Sequence, residues 1–589
     1  MRTKNIRKEN SMWKNVKLIV LVFMSFSYVV VAQEKEDIGT ETVIVVKAYK
    51  PTVSDAFKVK SLPKMNDSIV LKKKKITYSI FSVPVASTFT PSKGKASMVK
   101  KVKPPKIFNS YASVGLGNYN NALVDFYTSR KIDRDERLDV GLNHHSSRGD
   151  VKGVIIDNDF YNTKVDAAYS KRNRDLDWGA NLGVQHQMYN WYGYLSDTEP
   201  DLNDPKQSYF NAQLGAHINI EDSFFKGGKL LVGRFWDGAE SGENRVVLTP
   251  TIELPITEEL LTVKVKLDYI NGTFKNASIN ESVNSSGIKY SHLQVGVSPS
   301  ILILRDDLTL NLGANFVYGI DTQNSDSNFY IYPKVTASYR LLAETVIAYG
   351  GIEGELKQNS YYSFVDENPY VSPTLTIAPT DKQYNGYLGL KGKLGSNFSY
   401  NIKGSYTAEN KKPLFKLNPE NSFRDDKKGY FYGNSFEVFY DDIKTLGIFG
   451  ELNIAVNRNF SLGINVEVHD YTTETGNPAW NLPSLTGSLF LDYQIGEKWF
   501  MGANLFYVGE REDVSADVVQ NVLPGAFPST IITLDGYFDA NAHLGYRFNQ
   551  QLSTFLKASN IANNNYQRWS NYTVQGFQIL AGVTYKFDF

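Results

Sequence analysis

The stretch NHHSSRGD at residues 143–150 sets two adjacent histidines, His144 and His145, before an Arg-Gly-Asp triplet. Neighbouring residues of a strand point to opposite faces, so these imidazoles are poorly placed to share one metal ion. The triplet reads as ordinary loop sequence. The segment MYNWYGY (188–194) gathers Tyr189, Trp191, Tyr192 and Tyr194. Such rings suit stacking on a sugar or another flat ligand, and they equally suit the aromatic girdle of a membrane protein, the commoner use. NSYYSFVDENPY (359–370) presents the same choice. The acidic loop residues lack the spacing of an EF-hand. No Ser–His–Asp order, phosphate-cradling glycine loop or paired carboxylates stand out. The absence of cysteine excludes thiolate ligands, cysteine nucleophiles and disulfides. The expectation is a protein without enzymatic activity, catalytic residues, metal or cofactor.

The elements that carry these residues are strands. Tyr (37), Phe (34) and Gly (44) are plentiful while helical periodicity is scarce, a balance that favours β structure. In LTVKVKLDYI, Leu261, Val263, Val265, Leu267 and Tyr269 alternate with Thr262, Lys264, Lys266 and Asp268. FSLGINVEVH repeats the pattern, with Ile464 on the apolar face and Asn465 on the polar one. Period-two alternation defines strands with one apolar and one polar side. A soluble sandwich shows this too. The connections separate the two cases. Tight polar turns near 133–136, 257–259, 305–307, 395–397, 457–459, 496–498 and 549–551 alternate with long Asn-, Asp-, Ser-, Gly- and Tyr-rich excursions. Short turns at one end and long loops at the other mark an outer-membrane barrel, whose strands must close because lipid cannot satisfy an open sheet edge. Counting connections predicts a single closed antiparallel barrel of about 22 strands over 107–589, all-β, with an outer face against lipid.

Ahead of the barrel, residues 1–32 combine a basic start with an apolar run from Leu18 to Ala32, the pattern of a cleaved secretory signal. Residues 33–106 then form a largely irregular periplasmic segment. It holds one extended apolar run, Glu41, Thr42, Val43, Ile44, Val45, Val46, Lys47 and Ala48, followed by a lysine-rich linker. Such a run either offers its backbone to the edge of a partner sheet or tucks in as a strand of its own molecule. Residues 56–106 carry thirteen lysines against Asp67, while 107–589 are left near −14 in formal charge. A basic tail beside an acidic barrel can dock by attraction, and a solvated linker near anionic lipid accounts for the charge as well.

ETVIVVKA resembles the TonB box of TonB-dependent receptors. LDGYFDANAHLGYRFNQQLSTFLKASNIANNNYQRWSNYTVQGFQILAGVTYKFDF is similar to the closing hairpins of the same family. The last strand, with Tyr585, Phe587 and Phe589 on one phase, resembles the signal read by the barrel-assembly machinery. The resemblance implies an outer-membrane receptor of a Gram-negative bacterium. Its long extracellular loops would capture a ligand, and it would couple to TonB or another periplasmic partner through residues 41–48. The family's folded plug has no counterpart of sufficient length between run and barrel. That departure keeps two other readings open: an accessory barrel subunit of an outer-membrane complex, working with surface lipoproteins or other subunits, and a passive porin.

Overall fold

The computed structural model describes residues 106–194, 204–256, 259–276, 287–420, 428–515 and 530–589. The signal, the 41–48 run and nearly all of the lysine-rich linker lie outside the described residues.

Twenty-two strands form one antiparallel sheet that closes on itself. In chain order each strand pairs with the next, because every connection is a hairpin. Closure comes from β1 (Ser110–Gly117) lying against β26 (Gln578–Phe587), in register from Ser110 opposite Phe587 to Gly117 opposite Leu580. The seven turns expected from the sequence all fall at one end. Three more, at 173–175, 221–224 and 343–345, join them, and all ten are two to four residues long. The eleven connections at the other end range from four residues at 118–121 to twenty-eight at 509–536. Two carry small hairpins of their own: β20 (Arg511–Val514) with β21 (Ile531–Leu534), and β24 (Gln567–Trp569) with β25 (Tyr572–Thr573).

The faces follow the expected alternation. On β9 (Glu259–Phe274), Leu267 and Tyr269 are exposed while Asp268 and Ile270 are fully buried, so Val265 shares the outer phase and Lys264 the inner one. Inside, Asp268 takes a bidentate pair of hydrogen bonds from Arg245 at 3.0 and 2.8 Å, and Lys266 sits 3.1 Å away. On β17 (Phe460–Thr473), Ile464 lies between Leu452 and Leu489 of the flanking strands, and Asn465 accepts a hydrogen bond from Ser488 on the other face. Exposed Leu, Ile, Val and Phe side chains ring the outer wall. A surface this apolar is intelligible only against lipid.

Strand length is uneven. β15 (Phe398–Leu417) and β16 (Phe436–Asn457) run for 20 and 22 residues. At about 3.3 Å per residue and a tilt near 40°, β16 rises roughly 50 Å, about twice the height of an outer-membrane apolar band. These strands stand above the lipid at the long-loop end and form a wall against which the loops pack.

Candidate functional site at the barrel mouth

The connection between β13 (Val346–Lys357) and β14 (Thr380–Leu394) does not reach outward; it turns into the barrel. It begins with a single helix, α1 (Tyr361–Glu367). The local sequence makes a helix start there. The Ser360 hydroxyl accepts from the Ser363 backbone N–H at 3.0 Å, and the Ser363 hydroxyl accepts from the Ser360 N–H at 3.2 Å, a capping box with serine in place of the usual glutamate. Pro369, just beyond the Asn368 cap, stops it. Seven residues are too few for a helix to persist on its own propensity, so tertiary partners must hold it.

Those partners lie on the inner face of the barrel. Tyr361 is wholly buried and makes edge contacts with Phe274 and Phe235, ring centroids 4.9 and 5.0 Å away. Its hydroxyl donates to Asp237 at the top of β7 (Phe225–Asp237), at 2.7 Å. Its backbone N–H, one of the donors a helix start leaves unpaired, reaches Glu243 of β8 (Gly242–Ile256) at 2.6 Å. Glu243 also accepts from Tyr290 at 2.6 Å. The rest of the loop is pinned around the rim. Tyr209 donates to the Pro369 carbonyl at 2.8 Å, a ring nitrogen of His292 lies 2.9 Å from the Ile377 carbonyl, and Tyr440 donates to the Thr376 carbonyl at 3.1 Å. One continuous buried cluster results. It runs from Tyr209 and Phe274 through Phe364, Val371 and Phe436 to Trp569 and Tyr572. The mouth is closed by the chain's own loops.

The aromatic segment 188–194 belongs to this closure, at the end of β5 (Leu176–Asn190), and not to a girdle at the lipid boundary. Trp191 is 3% exposed and meets Tyr430 edge-on, while its indole N–H donates to the Tyr370 carbonyl at 3.3 Å. Tyr192 packs on Tyr572 and Tyr370, which stack on each other with centroids 3.7 Å apart. Tyr189 packs beside Phe160 and Tyr370, and Tyr194 touches Tyr432. The reason is position: these residues lie where the chain leaves the strand above the lipid, and the inward loop gives them a core to join. Burial pushes the Tyr192 hydroxyl up to about 12. The segment 359–370 is the inward loop itself.

The other predicted residues fall elsewhere. His144 bonds Thr163 at 2.7 Å and His145 bonds Asn121 at 3.0 Å, on opposite faces of β3 (Glu136–Ser147). Tyr585 is exposed on the outer phase of β26 and packs on Phe587, which in turn meets Phe589 edge-on, at the short-turn end.

Sequence reading missed the acids that hold the closure. Asp237 and Glu243 open and close DGAESGE, which looks like any polar hairpin turn. Asp513 looks like any loop aspartate. It is fully buried, accepts from the Leu417 N–H at 3.0 Å and Asn481 Nδ2 at 2.7 Å, and its carboxyl is pushed up to about 6 by burial. The capping pair Ser360/Ser363 was the one local signal available.

Between the exposed side of α1 and the top of β5 lies a cavity of about 370 Å³. Tyr189 and Tyr192 line it together with Asp366, Glu367 and Arg568. Burial raises the Glu367 carboxyl above its ordinary range.

A closed 22-stranded barrel with an apolar outer wall and loops gathered at one end is a transmembrane β-barrel of the Gram-negative outer membrane. Residues 465–561 match the family model described as TonB dependent receptor-like, beta-barrel. No curated protein matches by sequence. Among solved structures, the siderophore receptor PirA from Acinetobacter baumannii superposes with a TM-score of 0.61 at 13% identity, covering 82% of this chain and 81% of its own. The FrpB iron transporter from Neisseria meningitidis gives 0.61 at 12%, covering 82% of each chain. The ferric-catecholate import receptor Fiu from E. coli gives 0.58 at 12%, again with 82% of each covered. At these identities the superpositions establish the fold. Together with the sequence match over 465–561 they make the barrel similar to that of TonB-dependent receptors.

Proposed function

We propose that this chain is an outer-membrane receptor that captures a ligand at its loop-closed mouth and moves it inward with energy drawn through residues 41–48. The observation that carries the reading is the inward β13–β14 loop. A passive pore gains nothing from a mouth sealed by a continuous aromatic core, whereas a receptor needs a surface that both grips and blocks. The family match over 465–561 supports transport as the task. The extended run Glu41–Ala48 supports strand addition to a periplasmic partner such as TonB.

Strand addition is a backbone interaction, so the test removes a donor. Val45→Pro deletes one N–H and fixes φ. The expected result is loss of ligand-dependent growth or uptake with the barrel still assembled in the outer membrane. Uptake unchanged by Val45→Pro, combined with failure of a partner complex when the whole barrel is deleted, would favour the accessory-subunit reading instead. The solved neighbours are receptors and transporters for iron compounds, so a ferric siderophore is one ligand class to be tried.

A further inference from the structure

On the outside of β7, β8, β9, β10 (Ile288–Arg305) and β11 (Leu308–Asp321), the apolar wall ends on a row of hydrogen-bonded side chains. Arg234, Asn244, Asn271 and Ser291 are cross-strand partners in one register, and Thr322 follows at the end of β11. Arg234 donates to the Asn244 side-chain oxygen at 3.0 Å, and the Asn244 amide donates to Asn271 at 2.9 Å. The Asn271 amide donates in turn to the Tyr269 hydroxyl at 3.0 Å. From the far side Ser291 donates to that same hydroxyl at 3.3 Å, and Thr322 donates to Ser291 at 2.7 Å. The intervening residues Phe235, Ile270 and Tyr290 are buried in the inner cluster, so the row faces outward. One step towards the short turns the same face carries Val232, Val246 and the Tyr269 ring, all exposed, and then Leu230, Leu248 and Leu267. The row therefore stands where contact with hydrocarbon stops. Beside it on the wall, Trp236 stacks on Phe210 and Phe210 on His186, with centroids 5.4 and 4.2 Å apart. Such aromatic rows settle at the membrane–water interface.

We propose that this row is a lipid-binding surface that takes the phosphate of an outer-leaflet headgroup, whatever the barrel transports. The row's own bonds leave donors over. Tyr269 accepts from both sides, so its O–H has no acceptor among the described residues. Arg234 gives the row one N–H and keeps the rest of its guanidinium fork, whose geometry suits a phosphate. Charge gives the ligand its sign. Lys289 lies on the same face of β10, next above Ser291, and both it and Arg234 are exposed. Neither makes an ion pair among the described residues, while Glu240 in the turn above is already held by Lys275. A neutral glycan would meet the spare donors but leave both cations without a counter-ion. A free phosphate would meet the cations but make no use of the leucine and valine strip directly beneath. A phosphate that carries acyl chains answers both, because its chains lie on that strip while its head reaches the row. Basic side chains at this depth are known to draw anionic headgroups.

The test is native mass spectrometry of the full chain, stripped of lipid in a neutral detergent and titrated with three probes. Dioctanoyl phosphatidic acid has both chains and phosphate, dioctanoylglycerol has the chains alone, and inorganic phosphate has the anion alone. The phosphatidic acid is expected to bind saturably and dioctanoylglycerol at least about tenfold more weakly, since only the first offers the cations a charge. Arg234→Gln and Lys289→Gln should each weaken phosphatidic acid binding about fivefold, the effect of one basic residue at an anionic headgroup, and Arg234→Lys should restore most of it. The two glutamine variants lie on different strands, so one reports even if the other fails to assemble. Equal binding of dioctanoylglycerol would remove phosphate from the recognition and overturn the proposal. Binding unchanged in both glutamine variants would put the lipid elsewhere and overturn it too. Full displacement of phosphatidic acid by an equal concentration of inorganic phosphate would make the row a plain anion site, and the lipid assignment would fall.

Discussion

Asp513 has lost all contact with solvent, and its three hydrogen bonds, from Leu417, Val514 and Asn481, do not fully offset that loss. Its carboxyl therefore binds a proton more tightly in the folded chain, near 6, than when exposed. For a raised carboxyl the sign is fixed: the site contributes most to stability below the unfolded value, and the contribution is lost as pH rises through about 6. A shift of this size corresponds to roughly 3 kcal/mol at most. Thermal unfolding in detergent should show a Tm that falls between pH 5 and 7.5, and Asp513→Asn should flatten that slope. An identical slope in the variant would remove Asp513 from the account. No local sequence feature distinguishes this aspartate from a solvated one, because its partners lie 96 and 32 residues away. The rings of 188–194 were visible as rings, but their direction depends on a loop nearly two hundred residues downstream. Gly193 shows how tightly the segment also meets the β24–β25 hairpin: a Cβ there would lie 2.5 Å from the Tyr572 ring.

At the scale of elements, the strands were legible and the closure was not. Alternation and polar turns are properties of neighbouring residues, and they placed Val265 outside, Lys264 inside and seven of the ten short turns. The inward path of the β13–β14 loop is set by Asp237, Glu243, His292 and Tyr440, which sit on four different strands. The element has its own prediction. Replacing residues 360–377 by a short Gly-Ser turn removes α1 and its anchors while leaving both flanking strands intact. Single-channel conductance of the variant in planar bilayers should rise well above that of the parent chain. Equal conductance would mean that the inward loop is not what limits passage.

The whole molecule is organised by the lipid it sits in. Ile464 lies between Leu452 and Leu489 on the outer wall, away from the mouth. Arginine at that position, near the bilayer midplane, should cost about 2–4 kcal/mol. The measurement is reversible denaturant unfolding in lipid vesicles, with Asn465→Arg on the inner face as the control expected to cost much less. Equal penalties for the two would contradict the assignment of faces. The strand number was readable at this scale because each hairpin announces itself by one short turn. The height of the wall was not, since nothing in the alternation of β15 or β16 marks where lipid ends.

The seam between β1 and β26 also sets a sequence of events. The hydroxyls of Ser113 and Thr584 meet at 2.9 Å across 471 positions of chain. Every other pairing in the sheet joins neighbours, and it can form as soon as both strands have been exported. The entropic penalty of closing so long a loop grows only with the logarithm of its length, so the seam is not thermodynamically extravagant. It is simply last. Until Gln578–Phe587 arrives, the nascent sheet carries two unpaired edges, each able to recruit a foreign strand. Losing those ten residues would therefore not leave a slightly smaller cylinder. It would leave an open ribbon, permanently in the state that assembly factors have to shelter.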